Sequence, residues 1–147
     1  MALMGAEWLQ TGRNIPAGGT IHHVRYETGT RSSKEHLRDL NSVLTTLLGR
    51  TPFKGSLNLR ADSPVTFDAP AEFPVADRVW LLVPVVVNGA AVGVAARKPP
   101  PVATPFIEVF ACDQIAPQLD LKDGDLVGLQ ILSGEHLGLD DHARSTT

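Results

Sequence analysis

The chain has 147 residues, the size of one ordinary domain, so it is long enough to bury a substantial core. Hydrophobic residues make up 43% and charged residues 20% of the sequence, a balance that favours a globular chain over a disordered one. The net charge of -3 gives no general electrostatic attraction to nucleic acid, so no nucleic-acid partner is expected.

The N-terminal residues lack the positively charged start and the long apolar core of a secretory signal. Cys112 is the single cysteine, which excludes an internal disulfide and suits a reducing compartment. Together these features predict a cytoplasmic protein.

A helix is predicted to begin near Ser33, because Ser32 and Glu35 have the spacing of a capping box. Leucines then recur at intervals of three and four residues, which gives the helix one apolar face for packing against a sheet. They are Leu37, Leu40, Leu44, Leu47 and Leu48. Gly49 can take the left-handed conformation that ends a helix, and Pro52 prevents its continuation.

Most of the remaining sequence is predicted to form strands, at residues 20–26, 55–60, 79–87, 90–96, 106–111 and 126–132. Asn88 and Gly89 favour a type I′ turn, since both tolerate positive φ. That pair and Pro84 interrupt the most apolar stretch, so two strands are expected there and no membrane-spanning helix. Asp123 and Gly124 indicate another turn, before a strand in which apolar residues alternate.

Short strands, turn signals and one helix predict a mostly β fold, a small β-barrel with one inserted amphipathic helix. Residues 1–134 form a single barrel domain in this interpretation. The prolines in residues 61–74 and 97–105 mark loops that are too short to be an interdomain linker. Residues 135–147 have little apolar periodicity and are predicted to form a flexible tail.

Two segments on either side of the predicted hairpin, LTTLLGRTPFKGSLNL and IEVFACDQIAPQLDLKDGDLVGLQI, resemble the archaeal CTP-dependent riboflavin kinase family. In that family a helix ending in Leu-Gly leads to a Pro-aromatic-x-Gly-Thr-Leu-Asn segment, and a Glu-Ile-Ile-Ala-Pro strand leads to a Leu-x-Asp-Gly-Asp turn. The similarity covers residues 43–131. It implies a cradle-loop β-barrel and the transfer of a nucleotide phosphate, from CTP in the family, to a small-molecule hydroxyl.

The resemblance implies that Ser56 and Asn58 help to hold Mg²⁺ beside the nucleotide phosphates, since they stand where the family has Thr and Asn. Their spacing of two residues places both side chains on one face of a strand, opposite Leu57 and Leu59. Hydroxyl and amide oxygens suit this hard cation, which commonly keeps water and phosphate oxygens as further ligands. The alternative from periodicity alone is that Ser56 and Asn58 form the solvent face of an amphipathic strand.

Nucleotide-binding residues are expected near the N-terminus, because the family carries a glycine-rich loop after its first strand. Gly12, Gly18 and Gly19 offer backbone N–H groups to phosphate in this interpretation, and Arg13 adds positive charge. Their spacing differs from the closely repeated glycines of the family, which leaves a plain turn as the alternative. Lys54 is a further candidate for neutralising phosphate, with solvated surface as its alternative.

Glu108 is the candidate catalytic residue, because it aligns with the acidic residue that opens the Glu-Ile-Ile-Ala-Pro strand of the family. A carboxylate there orients or deprotonates an acceptor hydroxyl if it lies within hydrogen-bond reach, whereas a solvated surface glutamate is the alternative. Ala116 stands where the family has an Arg, so one anion contact is missing. Prolines at 99–101 replace part of the family's flavin site, so the acceptor is riboflavin or another hydroxyl compound.

Two functions follow from these residues. The first is a Mg²⁺-dependent phosphotransferase that uses a nucleotide, with CTP favoured, and a small hydroxyl-bearing acceptor. The second is a non-catalytic nucleotide- or flavin-binding regulatory barrel, which the altered glycine spacing, Ala116 and the proline-rich segment favour.

Overall fold

A computed structural model describes residues 7–28, 33–97 and 104–138. The strands in this part of the chain are β1 (Thr20–Tyr26), β2 (Leu57–Val65), β3 (Ala71–Val75), β4 (Arg78–Val87), β5 (Ala91–Arg97), β6 (Thr104–Phe110) and β7 (Leu126–Ile131). They form one sheet in the order β3-β4-β5-β6-β2-β1-β7, and every pairing is antiparallel. β4 also pairs with β7, which closes six strands into a barrel and leaves β3 as an extra edge strand. The predicted β-barrel is confirmed.

The helices in the described ranges are α1 (Glu7–Thr11), α2 (Ser33–Leu48), α3 (Ile115–Gln118) and a 3₁₀ helix at Gly134–Leu137. α2 begins and ends where the sequence predicts, and Gly49 after it has a φ of 83°. The predicted cap Ser32 lies outside the described residues. None of these helices is both long and apolar enough to cross a membrane.

The barrel has one apolar core inside it and another between its outer face and α2. The inner core contains Val24, Leu57, Leu59, Val83, Val85, Ile107, Val109, Val127, Leu129 and Ile131. The outer core joins the leucine face of α2 to residues of β4, β5 and β6, namely Trp80, Leu82, Val86, Val94, Ala96 and Phe110. β4 is buried on both faces, which explains why its sequence is an almost unbroken apolar run.

The β4–β5 hairpin confirms that the most apolar stretch forms two strands. Asn88 and Gly89 have φ values of 52° and 66°, the positive values that the predicted turn requires. Val87 pairs with Ala91, so Ala90 belongs to the loop and does not begin the second strand. The loop therefore contains three residues, one more than a two-residue type I′ hairpin loop.

Pro84 is tolerated inside a central strand because of its position between two partners of β4. The first half of β4 pairs with β3 as far as Leu82, and the second half pairs with β7 from Val85 onward. Pro84 pairs with Val94 of β5, but its carbonyl accepts from the Leu132 N–H on the opposite edge of β4. Because the N–H position of a strand residue faces the same edge as its carbonyl, the missing donor falls where β4 changes partner from β3 to β7.

Two predicted irregular segments are partly ordered. Residues 71–74 of the predicted proline-rich loop, together with Val75, form β3, where Pro74 is acceptable because β3 is an edge strand. The predicted tail begins too early, because residues 134–137 form the 3₁₀ helix and Leu137 is completely buried. Of the two proline-rich loops, residues 98–103 lie outside the described ranges, as do residues 139–147 of the predicted tail.

Candidate functional site

β2 has the two chemically different faces that its sequence predicts. Leu57 and Leu59 are buried in the barrel, at 5% and 1% exposure. Asn58 and Arg60 point the other way, and Ser56 directly precedes the strand. The polar positions therefore lie on the outer face of the barrel, the face that α2 also approaches.

Glu108 on β6 meets this polar face at hydrogen-bond distance. It is the direct cross-strand partner of Asn58, and the Ser56 Oγ–H donates to Glu108 Oε2 over 2.7 Å. Antiparallel partners carry their side chains on the same face, only about 5 Å apart at Cβ. The two predicted metal residues and the predicted catalytic residue are therefore brought together by the pairing of β2 with β6.

His36 in the first turn of α2 completes a cluster that the sequence analysis did not predict. Its Nδ1 lies 2.7 Å from Glu108 Oε1, so both oxygens of the carboxylate are engaged. The side chains of His36 and Glu108 are 22% and 13% exposed, which keeps the pair partly shielded from water. The Trp80 ring and the imidazole pack in a T-shaped arrangement, with ring centroids 5.1 Å apart.

A cleft of about 360 Å³ opens beside this cluster. It is lined by Glu27, His36, Asn58, Thr104, Phe106 and Glu108, among others. Glu27 lies at the end of β1, where its backbone N–H donates to Asn58 O and its carboxylate contacts Arg60. Ser56 lines a second, smaller cavity of about 120 Å³, together with Tyr26, Phe53 and other residues.

The oxygens at this face suit a hard cation. Because the Ser56 hydroxyl donates a hydrogen bond to Glu108, the lone pairs of the hydroxyl oxygen are free to bind a cation. Within the described ranges the Asn58 side chain makes no hydrogen bond, so its amide oxygen is available as well. The same residues 7–28, 33–97 and 104–138 contain no group of three or more His, Cys, Asp and Glu side chains placed to hold a metal.

The glycine segment lies away from this site. It precedes β1, and Gly18 and Gly19 stand beside the start of that strand, where the Gln130 side chain donates to Gly18 O. Asn58 contacts the opposite end of β1, at Glu27. The intervening strand spans about 25 Å at 3.3 Å per residue. One nucleotide phosphate group therefore cannot contact both places.

The remaining predicted nucleotide-binding residues are exposed and are not part of the Glu108 cluster. Gly12 directly follows α1, and its N–H donates to Trp8 O; it lines a different cleft, together with Arg50. The Arg13 side chain is exposed, and its backbone N–H donates to Thr11 Oγ1. Lys54 is exposed in the loop that leads to Ser56.

Two groups with shifted pKa values lie at the clefts, but neither belongs to the Glu108 cluster. Burial lowers the pKa of Arg97, whose guanidinium donates to Val65 O and lies 4.1 Å from the ring centre of Phe67. Burial raises the pKa of the Cys112 thiol, against an opposing effect of Arg50. Both groups have backbone carbonyl partners in the described structure, which accounts for their positions structurally.

The sequence analysis did not identify His36 as a site residue, although its position in the helix gave an indication. It lies four residues before Leu40 and eight before Leu44, so helical periodicity places it on the apolar face of α2. A polar residue on an apolar face needs a hydrogen-bond partner, and in this fold that partner is Glu108. The partner itself could not be identified from the sequence, because residues 36 and 108 meet only when the barrel closes beneath the helix.

No protein-family model matches the chain, and a comparison with curated proteins finds no match either.

Proposed function

We propose that this barrel is a Mg²⁺-dependent phosphotransferase, which moves the terminal phosphate of a nucleotide such as CTP to a hydroxyl of a small molecule such as riboflavin. The observation that carries the proposal is the meeting of Glu108 with Ser56 and Asn58 on one face of the β2–β6 pair. Phosphoryl transfer depends chiefly on positioning and on stabilising charge, so it requires a polar group beside an oxygen-rich cation site.

In this proposal Ser56 and Asn58 hold the nucleotide through its Mg²⁺. When bound, the cation neutralises the charge that develops on the transferred phosphate. Two neutral protein oxygens suffice for this role because phosphate and water oxygens supply the other ligands. Mg²⁺ binding is therefore expected to be weak without nucleotide and tighter with it.

The acceptor is assigned to the cleft between His36 and Phe106. Its volume of about 360 Å³ falls in the range of about 300–1,000 Å³ that is usual for small-molecule sites. Phe106 is 53% exposed and offers an apolar surface, while Glu108 and Asn58 offer polar groups. A flat molecule that carries hydroxyl groups matches this mixture of contacts.

A cytoplasmic location and a preference for CTP belong to the same proposal. The location rests on the N-terminal residues and the single cysteine, and the CTP preference rests on the resemblance described above. The sequence order that carries the resemblance includes the loop before β2 and the turn before β7. Asp123 in that turn binds Thr28 at the end of β1, close in sequence to Glu27 of the cleft. This contact supports the proposal by linking the turn before β7 to the residue next to Glu27.

A non-catalytic nucleotide- or flavin-binding barrel is the second candidate, and the position of the glycine segment favours it. Gly18 and Gly19 lie about 25 Å along β1 from the Glu108 end, so they cannot cradle the phosphate that Ser56 and Asn58 would hold. A barrel with fewer phosphate contacts can still bind a nucleotide without aligning it for transfer.

The test measures transfer and binding separately. The wild-type protein is incubated with Mg²⁺, with CTP or ATP, and with riboflavin or a panel of other hydroxyl compounds, and phosphorylated products are identified by mass spectrometry. Calorimetry with and without Mg²⁺ measures nucleotide and flavin binding. Transfer to any acceptor supports the first candidate, binding without transfer supports the second, and absence of both binding and transfer contradicts both.

Asn58→Ala and Asn41→Ala form a matched pair for this assay. Asn58 faces the proposed site, whereas Asn41 is an exposed residue of α2. We expect only Asn58→Ala to weaken Mg²⁺-dependent nucleotide binding. Equal effects of the two substitutions would contradict the assignment of Asn58 to the metal.

A further inference from the structure

The imidazole of His36 is held by three structural elements. The backbone of α2 carries it, Glu108 on β6 binds its Nδ1, and the Trp80 ring on β4 packs against it in a T-shaped arrangement. Trp80 is fixed in turn, because its indole N–H donates to Asp39 Oδ2 over 3.1 Å. The ring therefore has little freedom to rotate away from Glu108.

The hydrogen bonds of Glu108 determine where His36 carries its proton. An ionised carboxylate only accepts hydrogen bonds, and Ser56 already donates to Oε2. At 2.7 Å from Oε1, Nδ1 must therefore be the donor. A neutral imidazole with its proton on Nδ1 has a lone pair on Nε2, for which no partner is present in the described part of the chain.

We propose that Nε2 of His36 is the base that takes the proton of the acceptor hydroxyl, and that Glu108 orients the ring and stabilises the imidazolium. This inference rests on the proposed phosphotransfer and deepens it, because it assigns the role of base to His36 instead of Glu108. A carboxylate behind an imidazole is the arrangement that fixes the tautomer and leaves the far nitrogen free to accept a proton. His36 also borders the cleft that contains Asn58, so it adjoins the proposed site of reaction.

The proposed step is balanced in atoms and charge. The proton of the acceptor O–H moves to Nε2 while the hydroxyl oxygen forms a bond to the terminal phosphorus. The bond between that phosphorus and the bridging oxygen breaks, and the nucleoside diphosphate leaves with the electron pair. His36 then returns its proton to water, which regenerates the neutral imidazole.

Several charged groups surround His36. Glu108 faces it from β6, and the same cleft is lined by Glu27 from the end of β1 and by Arg97 from β5. A further cleft of about 240 Å³, which His36 also lines, contains Arg78 from β4 together with Glu35, Arg38 and Asp39 from α2 itself. Of these groups, Glu108 is the one that contacts the imidazole directly.

The first test is nitrogen NMR on the unliganded full-length protein with ¹⁵N-labelled histidine. The signals absent from the His36→Asn spectrum identify His36. We expect neutral His36 to carry its proton on Nδ1. A proton on Nε2 would overturn the inference, whatever the enzyme activity.

The second test compares two variants in the transfer of phosphate from CTP to riboflavin, or to the acceptor that the panel identifies. His36→Asn keeps a side-chain N–H for Glu108 but lacks Nε2, and Glu108→Gln keeps an acceptor for Nδ1–H but lacks the charge. We expect His36→Asn to lower kcat by about 10²- to 10⁴-fold with nucleotide affinity unchanged, and Glu108→Gln to lower it less.

The opposite order, with Glu108→Gln nearly inactive and His36→Asn within tenfold of the wild type, would assign the base to Glu108 and overturn the inference. Lack of transfer by the wild type would overturn the proposed function, and the NMR result would still decide where His36 carries its proton. The two failures are therefore distinguishable.

Discussion

The carboxylate of Glu108 is satisfied by donors from two different elements, Ser56 before β2 and His36 in α2. Its side chain is 13% exposed, so water can replace a lost donor only in part. Asn58 is its cross-strand partner, and the Asn58 side chain makes no hydrogen bond in the described structure. Residues that look equivalent in sequence, Ser56 and Asn58, therefore have different structural roles.

Because of this difference, we expect Ser56→Ala to lower both stability and binding, and Asn58→Ala to lower binding with little effect on stability. Ser56→Ala is expected to cost about 1 kcal/mol of unfolding free energy, because Glu108 loses a donor, while Asn58→Ala costs little. Both are expected to weaken Mg²⁺-dependent nucleotide binding by about 1–3 kcal/mol. Urea unfolding and calorimetry measure the two quantities.

The control is Leu57→Ala. Leu57 lies between Ser56 and Asn58, and its side chain points into the barrel. It is expected to cost about 2–5 kcal/mol of stability through lost burial. Unchanged Mg²⁺-dependent affinity in both polar variants would contradict the metal assignment.

Among the structural elements, those with strong local signals were predictable from sequence. The leucine period predicted α2, the Asn88-Gly89 pair predicted the β4–β5 hairpin, and alternation predicted β7. β3 was not predictable because its five residues include Pro74 and pair only along one edge. The role of a glycine likewise depends on which atoms its backbone approaches in the folded protein, and the sequence alone does not reveal those contacts.

Gly19 illustrates this dependence and gives a prediction. A Cβ added there would lie 2.3 Å from Ile131 O, and φ is 76°, whereas the space around Gly12 is open at a φ of 71°. Gly12→Ala is expected to cost about 1–2 kcal/mol from backbone strain alone, and Gly19→Ala more because β7 must also move. Thermal unfolding of the two variants measures the difference. Equal losses would show that contact with β7 is not what requires a glycine at position 19.

The turn before β7 is tied to the end of β1 by an exposed carboxylate. Asp123 accepts hydrogen bonds from the Thr28 N–H and hydroxyl, and these bonds lower the pKa of Asp123. A carboxyl with a lowered folded-state pKa stabilises the fold above its unfolded value, about 3.9, and this stabilisation is lost as pH falls through the folded value.

We therefore expect the melting temperature to depend less on pH below about 4 in Asp123→Asn than in the wild type. Thr28→Ala retains the backbone donor, so an intermediate dependence is expected. The measurement is thermal unfolding between about pH 2 and pH 6. Superimposable pH profiles for all three proteins would exclude a contribution of this turn to acid stability.

For the molecule as a whole, the two ends of the described chain pack into one layer over the barrel. The Trp8 indole N–H in α1 donates to His136 O, and Leu137 of the 3₁₀ helix joins the same apolar core as Trp8. The site and this layer share β4, since Trp80 contacts His36 and the 3₁₀ helix packs on β4. A segment of four residues is too short to show periodicity, so its burial could not be predicted from sequence.

Leu137→Ala tests whether this C-terminal segment belongs to the folded barrel. Leu137 has no exposed surface, so we expect its truncation to cost about 2–5 kcal/mol of unfolding free energy. Leu126→Ala is the matched control, because Leu126 is 58% exposed and should lose well under 1 kcal/mol. Urea unfolding at constant pH gives both values. A loss in Leu137→Ala no larger than in Leu126→Ala would mean that the 3₁₀ helix contributes nothing to the core, and that the domain ends at residue 134 as its sequence predicts.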